Sequence, residues 1–246
     1  MIALWNTLFY EPLYNALVWL IDVAPGHSLF LAVVMLTLVV RLIISPLSYR
    51  ALRTQIKTKA IAPRVKAIKD TVKDKQEQAR QTFALYKEEG VNPFSSFLLI
   101  LVQFPIIIAL YWVFRDGGVE INPDLLYSFI DFPELISRVT LGIDLGTKSY
   151  LLAFLAGFTQ YLHLSRSASF RQTGPTDGAS DQEKAMAMVG RSMRYTMPIM
   201  ITIFAYIIGG AVALYWVTSN LFMLAQEAYL QRKLQPHTTQ EKTSVA

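Results

Sequence analysis

Four stretches of this sequence run for 17 to 32 residues with at most one charge, and that pattern decides which solvent the chain folds in. Residues 29–47 carry a single charge, Arg41, and residues 94–114 carry none. Residues 149–165 are bracketed by Lys148 and Arg166, and residues 195–226 are uncharged throughout. A bilayer has a hydrocarbon core about 30 Å thick, spanned by roughly 20 apolar residues in a helix. Only helices and closed barrels satisfy their own backbone groups there. A soluble domain would spread about 25% charged residues over its surface, whereas this chain of 246 residues has 17% and clusters them. The predicted fold class is therefore all-α, a polytopic membrane protein.

The last apolar run is too long for one span. A helix of its 32 residues would measure about 48 Å at 1.5 Å per residue. Gly209-Gly210 lies near its middle, with Arg191 and Arg194 before the run and Arg232 and Lys233 after it. Basic flanks stay on the cytoplasmic side, so both ends lie on one side and the run reads as a helical hairpin, 195–208 and 211–230. Five spans result: 29–47, 93–114, 149–165 and these two arms. Residues 48–92, 166–194 and 231–246 together hold 19 Lys and Arg, whereas 1–28 and 115–148 hold three. The N-terminus is thus expected outside and the C-terminus in the cytoplasm. The third span and the hairpin arms are short, about 25 Å each, which favours a locally thinned membrane.

The connecting pieces have their own patterns. Residues 1–28 mix aromatics with Glu11, Pro12 and Asp22, and read as an amphipathic helix lying at the interface. They lack a basic start and a small-residue cleavage site, so no cleaved signal is expected. Residues 48–92 read as a charged cytoplasmic helical hairpin. Val65, Ile68 and Val72 would form one inner face and Ala79, Phe83 and Tyr86 the other. Pro63 suits a first helical turn, residues 71–75 can turn, and Asn92-Pro93 suits the start of the second span. Residues 115–148 are expected to lie against the surface on the outer side. Residues 166–194 form a cytoplasmic loop, flexible over 167–183, and the 231–246 tail is polar and disordered. The absence of cysteine and the scatter of three histidines exclude disulfides and give no metal site. No Gly-rich phosphate loop is present, so no cofactor is expected.

Arg41 calls for an explanation, because an arginine within a span costs about 2.5–3.5 kcal/mol on insertion scales. Snorkelling to the headgroups explains it alone. Yet Thr37, Arg41, Ser45 and Ser48 form a polar stripe on one helix face, and no acidic residue lies within an apolar core; Glu227 is the nearest. Gln103, Thr159, Gln160, Thr218, Ser219, Asn220 and Gln226 add uncharged polar groups on other spans. Each alone reads as interhelical glue. Together with Arg41 they point to a hydrated groove open to the cytoplasm. The methionines between Met186 and Met200 read as packing or as an adaptable apolar surface. A channel or transporter using Arg41 as an anion site is the alternative. An intramembrane enzyme would need more than His163 and Ser219, which no nucleophile motif accompanies.

Several motifs then occur in a telling order. Val40-Arg41-Leu42-Ile43-Ile44-Ser45-Pro46-Leu47 comes first, then Ala84-Leu85-Tyr86-Lys87 and Val91-Asn92-Pro93. Gln103-Phe104-Pro105-Ile106 with Ala109-Leu110-Tyr111 follows, then Met197-Pro198 and Ala213-Leu214-Tyr215-Trp216-Val217-Thr218-Ser219-Asn220. In this order and spacing the chain resembles the YidC-type membrane protein insertases over about residues 5–234. The resemblance implies a non-enzymatic insertase with a five-span core and a groove open to cytoplasm and lipid. Arg41 resembles the groove arginine, and Gln160 and Trp216 resemble groove-lining positions; Thr37, Ser45, Gln103 and Ser219 join them as the expected client-binding set. Implied partners are nascent membrane-protein clients and lipid, with the Sec translocon, the ribosome or the signal recognition particle pathway beside them, and no specific nucleic-acid sequence. The implied location is the bacterial cytoplasmic (inner) membrane. One departure stands out: the turn that often reads Phe-Pro-Ala-Gly in the family is Ile208-Gly209-Gly210-Ala211 here.

Overall fold

The computed structural model describes residues 2–91, 105–114, 121–131, 133, 135–166 and 181–234. Helices dominate: α1 (Ile2–Trp5), α2 (Glu11–Val23), α3 (Leu29–Thr71), α4 (Lys75–Glu88), α5 (Pro105–Phe114), α6 (Tyr150–Arg166), α7 (Asp181–Ile208) and α8 (Gly210–Leu234). Among the described residues one helical stretch, Leu29–Thr58, is long and apolar enough to cross a membrane; Pro105–Phe114 and Ser192–Ile208 are shorter apolar helices. The chain divides into two compact units, one formed by Met1–Ile43 with Phe104–Ala246 and the other by Ile44–Gln103.

In the smaller unit, α3 runs to Thr71 and α4 returns from Lys75. Asp74 caps α4 by accepting from the Gln76 backbone N–H at 2.9 Å. Ile61, Leu85 and Val91 are buried, with Val65, Ile68 and Tyr86 packed on them. Two expectations are corrected here. Pro63 lies inside α3, not in a first turn. An interior proline costs about 3 kcal/mol, but helix on both sides of it is what aligns Ile61, Val65 and Ile68 on one buried stripe. Phe83 is 57% exposed, and Leu85 takes the inward place. The reason is polar: Gln78 donates to the carbonyls of Lys69 (3.0 Å) and Val72 (3.4 Å), closing the end of α3. That contact turns α4 so that Gln78, Leu85 and Tyr86 face in. Arg64 pairs with Glu88 at 3.5 Å and with Glu89. On the solvent side, Arg80 and Gln81 donate to Glu77 and hold its carboxyl at about 2, well below the usual 4.5.

In the larger unit, α1 and α2 are joined by a π-helical turn, Asn6–Tyr10. Pro12 explains it, because its ring clashes with the carbonyl four residues back and widens the preceding turn. Helices α6, α7 and α8 pack on one another. Ala153, Ala156 and Gly157 are small and buried on α6, the kind of spacing that lets backbones approach closely. A Cβ on Gly157 would collide with the Thr202 hydroxyl and stand 2.8 Å from the Pro198 carbonyl.

A strap formed by the described residues between 121 and 149 ties the ends of several helices together. It begins on α2, where Asn15 is 1% exposed. Asn15 donates to the Leu125 carbonyl at 2.9 Å and accepts from the Tyr127 backbone N–H at 2.7 Å. The Tyr14 hydroxyl accepts from the Asn122 N–H at 2.7 Å. Ser137 then accepts from the Leu29 N–H and donates to the His27 carbonyl, both at 3.0 Å, at the start of α3. A short antiparallel hairpin follows, β1 (Val139–Thr140) and β2 (Ile143–Asp144), so the fold is not purely helical. Its two-residue turn has positive φ at Leu141 (53°) and Gly142 (76°), the geometry of a tight type I′ hairpin.

The strap ends on the junction of α7 and α8. A single residue, Gly209, separates these helices, with φ at 132°, a conformation side chains resist. The Gly210 N–H donates to the Thr147 carbonyl (2.9 Å) and the Ala211 N–H to the Leu145 carbonyl (3.2 Å). These are orphan donors of the first turn of α8, satisfied by backbone. A Cβ at 210 would meet Leu145 and Thr147 at 3.1–3.2 Å, which is why glycine stands there.

Candidate functional site

Nine residues into α8 from that junction, Ser219 and Asn220 are each 1% exposed. Arg41 comes from α3 and is 8% exposed; its Nη2 donates to the Ser219 Oγ. The two residues are 178 apart in sequence, so this bond clips the first apolar run to the last. On the neighbouring side, Asn220 donates from Nδ2 to the Ala156 carbonyl (3.3 Å) and to Thr159 Oγ1 (3.2 Å) on α6. Thr159 in turn donates to its own helix, at the Leu155 carbonyl, 2.8 Å away. One layer of polar side chains therefore links α3, α8 and α6. It lies about 14 Å along α8 and α6 from their 210 and 150 ends, at 1.5 Å per residue, well inside any span those helices make.

Of the residues expected in a client-binding set, Arg41 and Ser219 are brought into direct contact. Thr37 is fully buried one turn before Arg41, but its hydroxyl donates to the Val33 carbonyl of its own helix at 2.6 Å. Gln160 and Trp216 are half-buried, beside Thr159 on α6 and one turn before Ser219 on α8. Ser45, half-buried, belongs to the other compact unit. Gln103 lies outside the described residues, as do Asn92-Pro93, residues 167–180 and the tail from 235.

Three residues have surroundings that the sequence reading did not give them. Glu227, placed there at the end of a span, is 5% exposed two turns beyond Ser219. His163, one turn after Thr159, stands within electrostatic range of Arg41. Its Nδ1 is buried without a hydrogen-bond partner among the described residues. The signal for Gly157 was present in the small residues Ala153, Ala156 and Gly157, three and four apart. Among the described residues no group of three or more His, Cys, Asp and Glu could hold a metal. Arginine, serine, asparagine and threonine supply donors and hydroxyls but no nucleophile–base pair, so the layer suits binding of polar groups.

Comparison with known proteins identifies the family. A family model described as "60Kd inner membrane protein" matches residues 20–238. The chain belongs to that family. It is 30% identical over 240 residues to the protein named "Membrane protein insertase YidC" of Oceanobacillus iheyensis, covering 94% of this chain and 85% of that one. It is 30% identical over 230 residues to "Membrane protein insertase MisCA" of Bacillus subtilis, covering 90% and 77%. A longer relative, "Membrane protein insertase YidC" of Nitrosococcus oceani, is 30% identical over 232 residues, of which this chain spans 37%. The matched region takes in α3, α6, α7 and α8, and with them the Arg41 layer.

Proposed function

We propose that this chain inserts membrane proteins into the bacterial inner membrane, through a polar groove organised by Arg41. The observation that carries the reading is the buried Arg41–Ser219 contact and the Asn220–Thr159 link beside it, in a chain whose relatives are named membrane protein insertases. A charge held in such a place stabilises nothing by itself. It is useful to a passing chain, whose acidic and carbonyl groups need a partner while crossing.

The topology we assign has five spans, the N-terminus outside and the C-terminus in the cytoplasm, with residues 1–28 at the interface. Its support is the split of 19 basic residues against three between the two sides, together with the single-residue junction at Gly209. The α3–α4 hairpin is then cytoplasmic and meets clients first. A client's polar segment enters beside Arg41, Ser219, Gln160 and Trp216; Thr37, Ser45 and Gln103 join the proposed client-binding set from the family resemblance alone. Its apolar segments move into lipid, where burial supplies about 25 cal/mol per Å². No bond is made or broken in this scheme. Clients are the partners it requires; the Sec translocon, the ribosome and the signal recognition particle pathway are auxiliary ones we assign by analogy. A channel that uses Arg41 for anions draws no support from the relatives' names.

The test is complementation in cells depleted of their own insertase, with membrane levels matched. Wild type should rescue growth, Arg41→Lys should rescue in part and Arg41→Ala should not. Equal rescue by Arg41→Ala would remove the charge from the mechanism, and failure of the wild type would remove the function.

A further inference from the structure

Arg41 can meet only part of what a passing chain presents. A guanidinium donates and does not accept, so it pairs with carbonyl and carboxylate oxygens. A backbone, proline apart, also carries an N–H for every C=O. An acceptor close to Arg41 would complete the match, and α6 brings one. His163 follows Thr159 by four residues and Gln160 by three, spacings that put all three on one face of the helix. That face is the one joined to α8 through Thr159 and Asn220. Helical side chains lean toward the N-terminal end of their helix, which carries the imidazole back toward the layer, and it stands within electrostatic range of Arg41.

The fold makes no use of this ring's polarity. Its Nδ1 is buried and has no hydrogen-bond partner among the described residues. Buried polar atoms are nearly always met, because an unmet one costs stability; a leucine would fill the same place without that cost. The residue is only half-buried, so a chain in the groove can reach it. It lies about 6 Å along α6 beyond Thr159, toward Arg166, which is the cytoplasmic side in the five-span topology proposed above. A client entering from there passes His163 before it reaches Thr159 and Asn220. A neutral imidazole has one nitrogen that donates and one that accepts, the complement of a peptide unit. We infer that His163 is a further client-contacting residue, its imidazole accepting a hydrogen bond from a client backbone N–H while Arg41 donates to a carbonyl nearby on the same chain. This rests on the insertase function proposed above and adds to it a second contact of opposite hydrogen-bonding sense.

The test is insertion of a reporter client into vesicles holding the full chain, counted per folded molecule, with Tm measured beside it. His163→Leu should lower insertion roughly fivefold, the contribution of one neutral hydrogen bond, with a Tm no lower than that of wild type. His163→Gln should keep about half of the activity or more, since its amide carbonyl accepts. His163→Lys, which only donates, should lose at least as much as His163→Leu. Contact is read directly by disulfide cross-linking. The chain has no cysteine, so His163→Cys should link under mild oxidation to a cysteine placed in the client's polar segment. Phe154→Cys, nine residues back on the opposite, exposed face of α6, should not. Unchanged insertion by His163→Leu overturns the contact, and a fall in its Tm with insertion per folded molecule intact makes His163 structural instead. Equal activity of His163→Lys and His163→Gln overturns the acceptor role. Absence of the cross-link in vesicles that insert the reporter overturns the contact as well. A wild type that inserts no reporter overturns the proposed function, and this inference with it.

Discussion

The strap and the Arg41 layer are both polar structures in a mostly apolar bundle, and they are built from different partners. The strap pairs side chains with backbone, or backbone with backbone: Asn15 with Leu125 and Tyr127, Ser137 with His27 and Leu29, Thr147 and Leu145 with the start of α8. Backbone groups are obligatory partners with fixed positions, and leaving one buried and unmet costs about 1–3 kcal/mol. In the Arg41 layer the helices are joined largely through side chains, Arg41 to Ser219 and Asn220 to Thr159. Such groups can exchange one partner for another without disturbing a helix. One end of the bundle is therefore made to hold, and the middle, on the function proposed above, to bind.

Separating stability from activity would sharpen or break that contrast. The largest effect is expected from Arg41→Met. Insertion of a reporter client into vesicles, counted per folded molecule, should fall by more than about tenfold, a larger loss than the drop in Tm that follows from leaving the buried Ser219 hydroxyl without its donor, about 1–3 kcal/mol. A clear drop in Tm with activity retained would reverse the roles. Next comes Asn15→Ala, which leaves the Leu125 carbonyl and Tyr127 N–H unmet and should cost about 2 kcal/mol. The readout is a Tm lower by several degrees, with insertion per folded molecule unchanged. Gly209→Ala strains a residue at φ 132° and should cost about 1–3 kcal/mol, visible as faster proteolysis near the junction. The smallest effect concerns neither region. Glu77 is held at about 2 by Arg80 and Gln81. Its folded value lies below the unfolded one, so its contribution is complete above pH 4.5 and is lost only as pH falls toward 2. The carboxyl resonance of Glu77 should therefore not move between pH 7 and pH 4, and a midpoint near 4.5 would show that Arg80 does not engage it in solution.

What could be read in advance follows from how local each cause is. The apolar run at 149–165 and helix α6, Tyr150–Arg166, nearly coincide because hydropathy and helix length are set by neighbouring residues. Gly209 showed as a junction because only glycine suits its backbone. Arg41 showed because a charge in an apolar run is conspicuous, whereas its partner Ser219, 178 residues away, was one of several polar candidates. The strap hairpin did not show, since Val139–Thr140 and Ile143–Asp144 are two residues each and turn through Leu141-Gly142 without the usual asparagine or aspartate. Pro63 and Phe83 misled because local propensity gave way to tertiary contacts, the Ile61–Leu85–Val91 core and the Gln78 closure. Asn15 looked like one polar residue on an interfacial helix, and nothing nearby in sequence revealed that residues 125 and 127 would need it.

The Gly209 junction also works as a counting device. Each residue advances a helix by about 100°, and Gly210 is clamped to Thr147 and Leu145, so the direction in which Ser219 points is numbered from that clamp. One residue added between Gly210 and Ser219 would turn Ser219 and Asn220 a quarter-turn or more away from Arg41 and Thr159, with every helix still intact. Chain length in this stretch is thus as binding a constraint as residue identity, and tags or insertions belong elsewhere in the protein.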